Sequence, residues 1–277
     1  MNINDLVTYD KNFPFNETEI NESKDYPHAT VKDLEIDNTL GEKIKFYLVI
    51  PKTLGPYPVI EFIHWLETDA ENSNRLEFLP SAIELAKEGY LSILPDAFWS
   101  TTPEEFKKNP VLWWKTDYEF DKNLCLKQTI ELLRIHDYVS DLKNVNTNRI
   151  ALVGHDFGAM FGAILLNFID SFKAFVIMAA TTKFYHWFKF GSKLNKMELE
   201  EYGEKMQIFD PKNYVKNLSN SPILFQFADD DFYVPKEIAE EFYQSASDPK
   251  ELRWYQAKHG LNKQAIDDME KWIKEKL

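Results

Sequence analysis

Apolar and polar positions along the chain fall into two alternating rhythms. Short β-rich runs cover 30–36 (TVKDLEI), 43–50 (KIKFYLVI), 58–63 (PVIEFI) and 90–95 (YLSILP), then 149–154 (RIALVG), 174–179 (AFVIMA), 222–228 (PILFQFA) and 251–257 (ELRWYQA). The first two alternate and are joined by DNTLGE, which predicts an antiparallel hairpin at one edge of a sheet. The later runs are apolar nearly throughout, as strands covered on both faces are. Between them, 76–89 ends on a glycine suited to a helix C-cap, and 121–142 keeps an apolar stripe at helical spacing. Segment 157–169 is small and apolar enough to pack inside, and 235–246 and 262–277 complete the set, the last strongly amphipathic. Strands alternating with helices predict an α/β fold: a mostly parallel central sheet of about eight strands with helices on both faces.

No repeat, low-complexity tract or linker divides the chain, so 1–277 reads as a single domain with an N-terminal extension over 1–29. Two stretches break the rhythm, 97–120 and 180–221, and long insertions in a compact domain usually bind or cover something. The second reads as a small, aromatic-rich, lid-like insertion. Trp99, Trp113, Trp114, Phe184, Tyr185 and Trp187 either line an apolar pocket for a small organic molecule or fill space between the insertions and the core.

Composition narrows the class. At 44% hydrophobic and 15% aromatic residues the chain is globular, and its longest apolar runs are far shorter than the ~20 residues of a membrane helix. The acidic, polar N-terminus predicts no secretory leader. Cys125 is the only cysteine and sits in a helical pattern, where a buried small side chain is the expectation. A net charge of −13 argues against a phosphate-backbone partner. These features predict a cytoplasmic protein with a small-molecule substrate and no nucleic-acid or membrane partner. They leave the oligomeric state open, a homodimer included.

One stretch carries chemistry. Gly154-His155-Asp156-Phe157-Gly158 matches the frame G-x-nucleophile-x-G, following an apolar strand and opening a small-residue helix. In that frame the glycines let strand and helix approach closely, and the central side chain projects from the strand end. The next N–H, that of Phe157, faces the site.

With this motif, and with PVIEFIHW, ELAKEGYLSILPDAF, PILFQFADDDFYVP and YQAKHGLN, the chain resembles the α/β-hydrolase superfamily and, within it, the dienelactone-hydrolase-like branch, from about residue 40 to the end. The resemblance implies Asp156 at the nucleophile position, Asp231 at the acid position three residues before Val234-Pro235, and His259 as the base. It implies an oxyanion hole from the backbone N–H of Phe157 with that of Trp65 or Leu66, after a His64-Trp65 pair where relatives commonly have His-Gly. The Trp65 indole N–H is a further donor to a leaving anion, or the ring is a cover over the site. His155 reads as structural, His136 belongs to an amphipathic helix, and no ligand spacing suggests a metal or cofactor.

An aspartate at the elbow changes the reaction. Serine needs a base to lose its proton, whereas a carboxylate with a pKa near 3.9 is already charged. Its attack on an ester carbonyl would give an anhydride, but attack on a saturated carbon displaces halide or opens an epoxide and leaves an alkyl ester. Water activated by His259 would then hydrolyse that ester, as in the dehalogenases and epoxide hydrolases that share G-H-D-x-G. The epoxide route needs an acid, for which Tyr185, Tyr202 and Tyr214 are candidates. The alternatives are an esterase or lactonase using Asp156 as a base for water, and a silent binding protein. Any catalytic reading requires Asp156 to face His259 and a cavity to reach it.

Overall fold

Residues 2–108, 114–190, 192–218 and 220–277 are described by the computed structural model. Within them the strands are β1 (Thr18–Asp25), β2 (Ala29–Asp37), β3 (Lys43–Pro51), β4 (Tyr57–Ile63), β5 (Leu91–Pro95), β6 (Val145–His155), β7 (Phe172–Met178), β8 (Ile223–Ala228) and β9 (Lys250–Tyr255). They form one nine-stranded sheet in the order β1-β2-β3-β5-β4-β6-β7-β8-β9. Pairing is antiparallel from β1 to β5 by way of β2 and β3, and parallel from β5 through to β9. The helices are α1 (Ile3–Leu6), α2 (Leu79–Leu85), α3 (Pro103–Lys108), α4 (Tyr118–Asp141), α5 (Phe157–Leu165), α6 (Tyr185–Phe188), α7 (Lys196–Met206), α8 (Lys236–Ser245) and α9 (Lys263–Lys276).

Alternation along the central strands sorts the helices onto two faces. Ile60, Phe62, Ala151 and Val153 point to a layer holding Ala82 of α2 and Met269, Trp272 and Ile273 of α9. Val59, Ile63, Ile150 and Leu152 point the other way, to α4, α5 and α8. All seven residues of β4 are buried, which explains their unbroken apolar run except for Glu61. Gly89 closes the turn after α2 in the left-handed region, at φ 85°, the C-cap its position predicted.

One feature differs from the sequence expectation. The β2–β3 hairpin is antiparallel but is not the edge, because β1, inside the N-terminal extension, pairs outside β2. Its sequence TEINESKD shows no apolar alternation, since it is exposed or half-buried throughout and contributes backbone hydrogen bonds rather than core. A polar, charged edge strand of this kind resists pairing with other chains. The 180–221 insertion holds α6, α7 and three short 3-10 turns between Gln207 and Asn217.

Candidate active site

β6 ends at His155 and α5 begins at Phe157, so Asp156 alone makes the turn, at φ 51° and ψ −117°. A non-glycine residue there is strained and persists only when its surroundings hold it. Two glycines provide the hold. A Cβ on Gly158 would lie 2.0 Å from the Ile63 carbonyl oxygen, and one on Gly154 would lie 2.5 Å from the Ala159 backbone. Only bare backbone lets α5 approach β4 and β6 this closely. The Asp156 N–H donates to the Met178 carbonyl at 2.8 Å, and its carbonyl accepts from Met160 N–H at 3.0 Å.

The three residues singled out by resemblance converge. His259 Nδ1 lies 2.9 Å from Asp231 Oδ2, and its Nε2 lies 3.9 Å from Asp156 Oδ2. Asp231 is itself held, its Oδ1 accepting from the N–H groups of Tyr233 (2.8 Å) and Val234 (3.0 Å). Burial pushes the Asp156 carboxyl above its ordinary range, against the opposing pull of His259. For His259, burial alone would lower the pKa, but the Asp156 carboxylate 3.9 Å from Nε2 and the hydrogen-bonded Asp231 outweigh it and push it up to about 10. Two carboxylates on opposite sides of the ring thus favour its protonated form.

The loop after β4 is built to aim one N–H at Asp156. The Trp65 carbonyl is fixed by His64 Nδ1 (2.7 Å) and the Trp99 indole N–H (2.9 Å). The Trp65 backbone N–H donates to Glu77 Oε2 at 2.6 Å, so it is not an oxyanion donor; that expectation is corrected. Leu66 N–H takes the position, donating to Asp156 Oδ2 at 3.2 Å, and the Phe157 N–H also acts on this carboxylate. Glu77 carries no motif and was not legible in the sequence. Its other oxygen sits 2.5 Å from His155 Nδ1, while His155 Nε2 donates to the His259 carbonyl at 3.1 Å. A Glu77–His155 clamp thus ties the Trp65 loop to the His259 loop, giving His155 its structural role.

The aromatic residues divide between core and cover. Trp99 and Phe184 are fully buried, stacking or packing against Phe161 and Phe157. Trp114 stacks on Phe157 at 5.6 Å. These are space fillers, and Trp113 lies outside the described residues. Trp187 is different: its ring lies 5.6 Å from that of His259 and stacks on Tyr233 at 5.1 Å. Of the candidate tyrosines, Tyr202 donates to Asp121 at 2.6 Å and Tyr214 to the Ile208 carbonyl, and Tyr185 packs against Gly203. None of these contacts is to the centre. Tyr233, in the loop after Asp231, lies 5.0 Å from His259 instead.

Asp156 is 0% and His259 4% exposed, and the cavities of about 380 to 600 Å3 are lined by other residues. Asp156 faces His259 as required, but none of these cavities reaches it, so the second condition is not met in this closed arrangement. Four of the ten buried side-chain polar atoms without a partner among the described residues gather here: Asp156 Oδ1, His259 Nε2 and the indole nitrogens of Trp65 and Trp187. Buried polar groups are nearly always paired, and here four unpaired ones lie together.

The comparisons agree with this architecture. The model of the dienelactone hydrolase family matches residues 44–276. No curated protein sequence matches the chain. An acetyl xylan esterase from a Thermoanaerobacterium species superposes with a TM-score of 0.77 at 14% identity, covering 98% of this chain and 91% of that one. Another from a Paenibacillus species gives 0.75 at 17% identity, covering 95% and 90%. The esterase domain of a Rhodothermus marinus protein gives 0.60 at 17% identity, covering 88% and 98%. At such identities these structures are similar in fold. The family match spans most of the sequence, and the chain belongs to the dienelactone hydrolase family: it is a hydrolase of the α/β-hydrolase fold.

Proposed function

We propose that the chain hydrolyses a small, largely apolar ester or lactone at the Asp156–His259–Asp231 centre, with Asp156 as base and His259 as acid. The observation that carries this reading is the imidazole of His259 between two carboxylates, beside two backbone N–H donors. Asp156, with its carboxyl pushed upward by burial, takes a proton from water as that water attacks the carbonyl carbon. The carbonyl oxygen takes over the Leu66 and Phe157 N–H groups as it becomes an oxyanion. His259 gives its proton to the departing alcohol oxygen, and Asp156 returns the water's proton to His259. Family membership and the esterase folds support the substrate class. Trp65, Trp187 and Tyr233 around His259 support an apolar substrate, and Trp187 and Tyr233 must swing aside to admit it.

A second reading has its own observation. Leu66 holds Asp156 Oδ2 while Oδ1 is unpartnered, which leaves one oxygen free to attack a saturated carbon bearing halide or an epoxide oxygen. Alkylation would remove one of the two charges that hold the His259 proton, turning His259 from acid into base for hydrolysis of the alkyl ester. The indole N–H groups of Trp65 and Trp187 would face the leaving anion.

Single turnovers in ¹⁸O-water, with aryl acetates, lactones, haloalkanoates and epoxides, separate the two. We expect ester or lactone turnover with ¹⁸O in the acid product and none in the Asp156 peptide. An alkyl adduct on Asp156 in His259→Gln, with ¹⁸O entering Asp156 in the native protein, establishes the second reading and overturns the first. Neither turnover nor adduct across the panel overturns both.

A further inference from the structure

The mechanism above makes no use of Glu61, His136 or Ser171, which three separate elements bring together. Glu61 is the one charged residue of β4, on the face turned toward α4, and is 2% exposed. His136, midway along α4, places Nδ1 2.6 Å from Glu61 Oε1. Its Nε2 lies 3.1 Å from the Oγ of Ser171, the residue immediately before β7. A carboxylate accepts only, so Nδ1 carries a hydrogen, and in the neutral ring Nε2 is then the acceptor for the serine hydroxyl. A buried glutamate needs a partner, which accounts for His136. It does not account for a half-buried serine on the far nitrogen, nor for the open space beside it. Ser171 and His136 both line a cavity of about 600 Å3 of mixed polarity, with Val7, Leu133 and Phe168 beside Lys11, Asp137 and Asp170. Since β6 and β7 are parallel neighbours, Asp156 after β6 and Ser171 before β7 lie at opposite ends of the strands.

We propose that Ser171, His136 and Glu61 form a second acyl-transfer site, independent of Asp156, that accepts small acyl esters from this cavity. Ser171 Oγ bonds to the acyl carbon as its proton passes to His136 Nε2, and Glu61 orients and balances the imidazolium. The C–O bond to the alcohol breaks, His136 returns the proton to that oxygen, and water releases the acid by the same steps in reverse. Lys11 is the cation at hand for the developing oxyanion, its charge already acting on His136. Burial lowers the His136 pKa, but Glu61 and Asp137 together outweigh burial and Lys11 and raise it.

The test is labelling of the full chain with diisopropyl fluorophosphate, the Ser171 Oγ–P bond replacing P–F, followed by peptide mass mapping. We expect the label on Ser171, lost in Ser171→Ala, and slowed on the order of 100-fold or more in His136→Gln, the scale of a general base. Because His136→Gln leaves Glu61 buried and unpaired, the double variant Glu61→Gln/His136→Gln serves as the folded control, checked by circular dichroism. Glu61→Gln alone should move the acid limb of the labelling profile to lower pH, since it lowers the His136 pKa; a merely structural glutamate leaves that limb in place. Labelling should persist in Asp156→Asn, whatever becomes of turnover at the elbow. No label at Ser171, a rate indifferent to His136, or loss of label in Asp156→Asn overturns the proposal.

Discussion

At the scale of single residues, the centre turns on who holds which proton. Asp231 lies in a run of three aspartates, of which Asp229 and Asp230 are exposed turn residues. Only Asp231 has its carboxylate anchored by two backbone N–H groups and turned to His259. Replacing it by Asn keeps a partner for Nδ1 but removes one of the two charges that hold the imidazolium. Asp231→Asn should therefore lower kcat on the order of 100-fold or more with little change in KM, measured on whichever ester is turned over. Glu77→Gln should lower kcat more mildly, on the order of 10-fold, because Leu66 N–H loses aim when the Trp65 loop loosens. A drop in kcat/KM confined to KM would refute that positioning role.

Among elements, the elbow and the cover behave oppositely. Gly158 is locked by the Ile63 carbonyl, so Gly158→Ala should cost at least about 3 kcal/mol in urea unfolding, since backbone on both sides has to move. The cover rests on Trp187 from α6 and Tyr233 from the loop before α8. Trp187→Ala should admit bulkier esters, raising kcat/KM for naphthyl over methyl esters, with a modest loss of stability for removal of a buried ring. Unchanged selectivity would show that substrates enter elsewhere. The elbow was legible because a two-glycine spacing demands close backbone approach. Membership of the cover was not, because aromatic residues that fill a core and those that close a site share the same composition.

For the whole molecule, pH dependence follows from two buried groups. His259 is raised from 6.5 to about 10, so its contribution is fully present below about 6.5 and lost as pH rises through about 10. Burial raises the Asp210 carboxyl, in the insertion, from 3.8 to about 7, against the Phe184 N–H bond; its neutral form is the favoured one, and stability falls as pH rises from about 4 through 7. Burial lowers the His186 pKa to about 4, which opposes Asp210 below about pH 6.5, so urea midpoints should decline from about pH 6.5 to pH 10. Asp210→Asn should flatten the part below pH 8, and His259→Gln the part above it. A midpoint that rises between pH 7 and 10 would contradict the His259 assignment, and Asp210→Asn leaving the slope below pH 7 unchanged would contradict that of Asp210. Activity under the proposed route needs charged Asp156 and protonated His259, so its alkaline limb should fall near pH 10.

By itself, the sequence determined the alternating strands and helices, the parallel core and the order Asp156, Asp231, His259. The first two rest on local signals, periodicity and glycine spacing, and the order of the three site residues on the resemblance to the α/β-hydrolase superfamily. β1 escaped because an edge strand buries no face and needs no pattern. The tertiary structure alone decided that Leu66 rather than Trp65 presents its N–H to Asp156, because Glu77, a residue without a motif, claims the other donor. It alone brought Glu61 from β4, His136 from α4 and Ser171 from the approach to β7 within hydrogen-bonding distance. Such meetings depend on which strands neighbour each other and which way a buried side chain points, and residues so far apart in sequence carry no local trace of them.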